Sequence, residues 1–99
     1  MGDLRIEWDT NKARANLRKH GITFDEAETA FSDDNALLLF DPDHSTVDEE
    51  RLVLIGISIA LRVLVVIHCE RDSGDTIRLI SARRATKSER AQYDARWKQ

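Results

Sequence analysis

Two adjacent arginines, Arg83 and Arg84, stand where the apolar run IRLISA (from Ile77) meets a helix-start signal at Thr86. Arginine presents a planar, permanently charged fork that suits a phosphate or a carboxylate. Arg51 opens another apolar run beside Glu50, and His20 and Tyr93 complete a set of residue types able to act on a phosphodiester. Cleaving RNA without a metal requires four things. A base takes the ribose 2′-hydroxyl proton, cations hold the phosphate, a donor protonates the leaving 5′-oxygen, and the geometry is in line. Arg51, Arg83 and Arg84, with a His or Glu nearby, could supply them. Each residue also has a plain structural reading. A strand-end arginine is commonly a solvated charge, and a histidine in a last helical turn complements the helix dipole. Tyr93 and Trp97, four apart, make a packing pair.

The other histidines are weaker candidates. His68 lies beside Cys69 inside an apolar run and reads as a half-buried strand residue. His44, in DPDHS, reads as a turn former. No two of the three histidines have metal-ligand spacing, so no metal site and no cofactor is expected. A phosphate-binding glycine loop and a GxSxG nucleophile motif are absent.

The elements that must position these residues follow from local signals. LRIEW alternates and predicts a first strand over Leu4 to Trp8. Asp9 or Thr10 caps a helix through His20, with Gly21 at the left-handed position that follows a helix. Arg18 and Lys19 fall in its last turn. Thr23 with Glu26 forms a capping box for a second helix running to about Phe31. Ala36 to Phe40 predicts a short strand, and DPDHS a turn. Strands are expected over 52–58, 62–70 and 76–82, rich in Val, Ile and Leu. RDSGD supplies a hairpin turn between the last two, whereas Ile59–Leu61 offers no good turn residue. Thr86 with Glu89 opens a final helix with a thin apolar stripe of Ala85, Tyr93 and Trp97. Short connections make the last three strands an antiparallel meander. Helices before and after give an α+β domain, with the helices on one sheet face and the other face open.

At 99 residues with 41% hydrophobic and 33% charged content, the chain is expected to form one domain over residues 1–99 with a modest core. Cys69 is the only cysteine, so no internal disulfide can form, and a reducing cytoplasmic setting fits. The N-terminus lacks the apolar core of a signal peptide, and the longest apolar stretch, Leu52 to Ile67, is too short to span a membrane and contains Arg62. The net charge of −3 hides an asymmetry. Asp25 to Glu50 holds ten acids and no Lys or Arg, whereas Ile77 to Gln99 holds seven bases against two acids. A basic face tolerates nucleic acid, and an acidic one suits a basic protein partner.

Four stretches in order, IEWDTNKARANLRKHGITFDEA, FDPDHSTVDEERLVLIG, RVLVVIHCER and IRLISARRATKSERAQYD, resemble the BrnT toxin family over nearly the whole chain. That resemblance implies a RelE-like fold with two N-terminal helices and one C-terminal helix. It implies a ribonuclease toxin that blocks translation and a cognate BrnA-like antitoxin, possible as a heterotetramer. Contact with DNA would come only through the antitoxin, and no membrane is involved. It raises Arg83 and Arg51 as phosphate binders, with Glu50 or His20 in the acid–base pair, and Arg84, Lys19 and Tyr93 as substrate contacts. The chain departs from the pattern at Ile59-Ala60-Leu61, where a Gly or polar turn is expected, and an exposed apolar tip follows. The alternative is a non-catalytic partner of a DNA-binding antitoxin, with the acidic segment as its binding surface. Strict alternation would place Ile77, Leu79, Ser81 and Arg83 on one sheet face and Arg78, Ile80, Ala82 and Arg84 on the other. Arg83 and Arg84 then cannot meet one phosphate, and Arg83 is the one expected on the open side.

Overall fold

A computed structural model describes residues 4–47, 49–71 and 74–97. The first strand, β1 (Arg5–Glu7), leads into helix α1 (Thr10–His20) and a short helix α2 (Phe24–Thr29), which tightens into a 3₁₀ turn over Ala30–Ser32. Strand β2 (Leu37–Phe40) and a second 3₁₀ turn (Pro42–His44) precede the meander β3 (Glu50–Ile57), β4 (Val63–Arg71) and β5 (Thr76–Arg84). Helix α3 (Lys87–Trp97) closes the chain. Asp72 and Ser73 of the expected RDSGD turn and the Trp97 side chain of the expected apolar stripe lie outside the described residues. No helix among the described residues is long and apolar enough to cross a membrane.

The caps form where the residue types predict them. Asp9 accepts from the Lys12 N–H at 3.1 Å, and Gly21, at φ +71°, donates to the Leu17 carbonyl. Thr23 accepts from the Glu26 N–H, but the Glu26 carboxylate does not return to close the box. It turns to the β3–β4 hairpin instead. There it takes Ser58 Oγ at 2.7 Å and Arg62 Nε at 2.9 Å, with a further ion-paired bond from Arg62 Nη2. Arg62 in turn holds the Glu26 carboxyl below its ordinary pKa, against the opposing effect of burial. α2 ends at Thr29, two residues short of the expected Phe31, as the chain tightens to cross β3. A Cβ on Gly56 would stand 3.1 Å from both the Ala30 carbonyl oxygen and the Ala36 Cβ, so a side chain there would press on the crossing.

The sheet order is β1-β5-β4-β3-β2. The meander is antiparallel as expected, but β1 runs parallel to β5, pairing Arg5 with Thr76 and Glu7 with Arg78, so the sheet is mixed. The helices do not share one face. α1 and α2 cover a core of Ile22, Phe24, Ala27, Leu54, Leu64, Val66, Leu79 and Ala82. α3 packs on the opposite face, where Tyr93 meets Ile55, Val63 and Val65. The face expected to be open is therefore open only at the end away from α3.

β5 contains a bulge. Ser81 pairs with Ile67 and Leu79 with His68, which leaves Ile80 as the extra residue. The bulge switches the phase of the alternation. Ile77 and Leu79 lie on the helix side with Ala82 and Arg84, while Arg78, Ser81 and Arg83 share the other side. Uninterrupted alternation would have put Arg83 on the same face as the buried Ile77 and Leu79.

Past Arg78, β1 has ended and the outer edge of β5 has no strand beside it. The buried side chain of Asn16 takes that place. Its amide nitrogen donates to the Ala82 carbonyl (2.8 Å) and the Ile22 carbonyl (2.9 Å), and its oxygen accepts from the Ala82 N–H (3.0 Å). Asn16→Ala leaves these buried backbone groups unpaired, and the expected cost is about 3 kcal/mol. Urea unfolding checks it, as a lowered midpoint at unchanged slope.

Candidate active site

The open end of the sheet carries three arginines around one thiol. Arg51 on β3 and Arg78 on β5 flank Cys69 on β4 in direct register, so their Cα atoms lie two strand spacings apart, roughly 10 Å. Arg71, two residues beyond Cys69, projects to the same face. Burial and the charge of Glu49 push the Cys69 thiol up, against the opposing pull of Arg51, Arg71 and Arg78. The thiol therefore stays protonated and is a poor nucleophile. Acids hold part of the cluster in place. Arg71 Nε donates to Glu49 at 3.1 Å, and its Nη1 stands 4.0 Å from Glu7. Arg51 differs, because its Nε is buried without a hydrogen-bond partner. A buried guanidinium nitrogen with no acceptor is a costly arrangement unless a ligand completes it.

A second basic feature borders this face along the outer edge of β5. Lys12, Asn16, Lys19 and His20 of α1 line a cleft of about 220 Å³ with Ile80 and Ser81. Ile80 and Ser81, at the bulge, are partly buried, and α1 brings the cations. Ser81, on the arginine side by its pairing with Ile67, also lines this cleft, while α1 itself packs on the opposite face of the sheet.

The structure separates several residues proposed together from the sequence. Glu50 and Arg51 are neighbours in the chain, but Glu50 pairs with Glu70 and lies on the helix side, opposite Arg51. Arg83 lies on the arginine side at Val65, four residues along β4 from Cys69, or about 13 Å. It cannot address the same phosphate as Arg51. Its Nη1 and Nη2 are committed to Glu89 in the first turn of α3, at 2.7 and 2.8 Å. Arg84 is exposed on the helix side, near enough to Glu26 to help lower its pKa. Tyr93 is 3% exposed and donates to Asp33 Oδ2 at 2.6 Å, the position of a core residue and not of a substrate contact. Burial alone would raise Asp33, but bonds from the Ile57 N–H, the Tyr93 hydroxyl and the Asn35 N–H together hold it down. His68 is fully buried against Phe31, with ring centroids 4.9 Å apart, and burial pushes its pKa down. His44 pairs with Asp41 at 2.9 Å and closes the turn. Lys19 and His20, of the expected set, line one cleft.

Arg71, Arg78, Glu49 and Ser81 are the residues that sequence reasoning missed. Adjacent apolar residues at Leu79 and Ile80 break the alternation in IRLISARR, and they are the one local sign of the phase switch that brings Arg78 and Arg83 to the same face.

These features define a small α+β domain whose open sheet face is lined with arginine, a surface suited to a phosphate-bearing polymer. The chain belongs to the BrnT toxin family, the ribonuclease toxins of type II toxin–antitoxin systems, whose family model matches residues 8–89. It is thus a ribonuclease toxin with RNA as substrate and an antitoxin as partner. A comparison with curated proteins gave no match.

Two predictions test the packing roles. The Arg83 fork, with the Thr86 N–H also donating, holds the Glu89 carboxyl at a pKa of about 2, below its ordinary 4.5. A depressed carboxylate stabilises the fold above the unfolded-state pKa and loses that contribution as pH falls toward the folded value. Glu89→Gln is expected to flatten the loss of stability between about pH 4.5 and 2, read by thermal melts across that range. Tyr93→Phe is expected to cost about 1–2 kcal/mol through the lost bond to Asp33 while RNA cleavage by the free toxin keeps its rate.

Proposed function

We propose that this toxin is a metal-independent endoribonuclease that blocks translation in the cytoplasm, acting as a single domain with a RelE-like fold. The observation that carries the reading is the convergence of Arg51, Arg71 and Arg78 around Cys69, with Arg51 Nε buried and unpartnered. Guanidinium groups fixed at the site of developing charge stabilise a phosphorane-like transition state in the way a bound cation otherwise would. Glu49 and Glu7 orient Arg71, so part of the cluster is held before substrate arrives.

His20 is the proton-transfer group on this reading, with Lys19 as a backbone contact, working from the cleft they line with Ser81 at the outer edge of β5. Glu50 faces away and is the weaker choice. Arg83 serves first to anchor α3 through Glu89, and any phosphate it takes is a second one further along the strand. Arg84 would meet RNA only if the strand wrapped the sheet end. Cognate BrnA-like antitoxin completes the system, in a heterotetramer whose contact with DNA runs through the antitoxin.

Purified toxin is expected to cut single-stranded RNA with EDTA present. Arg51→Ala and Arg78→Ala should each slow cleavage about 10²-fold at unchanged circular dichroism. Wild-type rates in both variants would remove the arginine face as the site. An EDTA-abolished activity would remove the metal-independent mechanism. Arg83→Ala in the same assay should lower the melting temperature more than the rate.

A further inference from the structure

The outer edge of β2 has a chemistry that the nuclease face does not use. β2 is the last strand of the sheet and pairs only with β3. The Asp41 N–H donates to the Arg51 carbonyl at 2.9 Å, which sets the phase of the ladder. Leu37, Leu39 and Asp41 therefore bond inward, and Leu38 and Phe40 turn N–H and C=O outward. The same two residues leave 53% and 54% of their surface exposed. Natural sheets guard such edges with lysine, proline or inward-pointing charge. Leu37–Phe40 contains none of these. An apolar strand with outward-facing backbone groups is a template for another strand.

Charge selects the occupant. Asp33 and Asp34 precede the strand, Asp41 and Asp43 follow it, and no Lys or Arg occurs between Asp25 and Glu50. Asp34 and Asp43 are exposed. A second copy fits poorly, because pairing two β2 strands in either direction sets acids against acids. An extended segment with apolar side chains and basic flanks is complementary along its whole length.

We propose that the outer edge of β2 docks an extended, basic-flanked segment of the antitoxin as a sixth strand. The inference rests on the toxin–antitoxin reading for the identity of the partner. The test uses the full-length toxin and its purified cognate antitoxin. Leu38→Pro removes an outward N–H and spares the ladder to β3. Phe40→Lys and Asp43→Lys place positive charge along the edge without touching the backbone. Each variant is expected to bind antitoxin at least tenfold more weakly while free toxin still cuts RNA at the wild-type rate. In hydrogen exchange, the Leu38 and Phe40 amides are expected to slow on complex formation. Unchanged affinity in Phe40→Lys and Asp43→Lys, with no slowing at the two amides, would overturn the proposal. A loss of toxin self-association in these variants at unchanged antitoxin affinity would overturn it in favour of a second copy. Wild-type toxin that gains amide protection with antitoxin yet cuts no RNA would fault the catalytic reading and support this surface.

Discussion

The clamp between Asn16 and Ala82 governs how α1 is joined to the edge of the sheet. β1 is three residues long and leaves β5 without a neighbour beyond Arg78. Buried backbone groups must be paired. An asparagine amide carries a donor and an acceptor at strand-like spacing, so one side chain can stand in for a missing strand. The same amide holds the Ile22 carbonyl and so pins the start of α2 against the end of α1. The clamp lies two residues past the bulge at Ile80. It fixes the distance between the α1 C-terminus and β5, and therefore places Lys19 and His20 beside Ser81.

The electrostatics divide along the sheet in a way that net charge conceals. Arginines gather on the open side at Cys69, while acids bracket the β2 edge one strand beyond Arg51. Between them, β3 sends Arg51 to one face and Glu50 to the other. Several cations are already matched: Arg62 by Glu26, Arg71 by Glu49, Arg83 by Glu89. These partly exposed pairs contribute little stability singly. Their consequence is orientation, since each holds an arginine in one geometry. Arg51 stands out because its Nε is buried and lacks a partner, and it sits where the acidic edge and the basic face meet.

Local chemistry was readable from the residues, and long-range pairing was not. Asp9, Gly21, Thr23 and the Thr86–Glu89 box announced helix ends, because capping acts within four residues. The meander followed from short connections between β-rich runs. The Ile59–Leu61 joint departs from turn chemistry yet closes as a turn, with Leu61 at φ +62° and Ile59 and Leu61 each 79% exposed. The Leu61 N–H donates to the Ser58 carbonyl, the Ile59 N–H to Thr29 Oγ1 and Ser58 Oγ to Glu26, which together hold it shut. The parallel pairing of β1 with β5 joins residues some seventy positions apart and leaves no local mark. The bulge mattered most, because a one-residue slip exchanges the two faces of a strand. It brought Arg78 to the face of Arg51 and set Arg83 on that face too, but at the end covered by α3 and bonded to Glu89, not at the open end. Tyr93 was misplaced because its partner, Asp33, lies sixty residues away.

The two proposed surfaces meet at a single backbone bond, from the Asp41 N–H to the Arg51 carbonyl. Arg51 is the first arginine of the basic face, and Asp41 follows directly on the exposed edge of β2. A strand added to that edge would run past Phe40 and emerge next to the arginine cluster. Its basic flank would sit by Asp41 and Asp43, and the chain that follows could cross the open face. Inhibition then needs no conformational change in the toxin. Edge pairing supplies the anchor, and once the segment is tethered its high local concentration lets even weak contacts exclude RNA. On these two proposals, a sheet with one open basic end and one unguarded acidic edge would keep its activity and its restraint on adjacent strands.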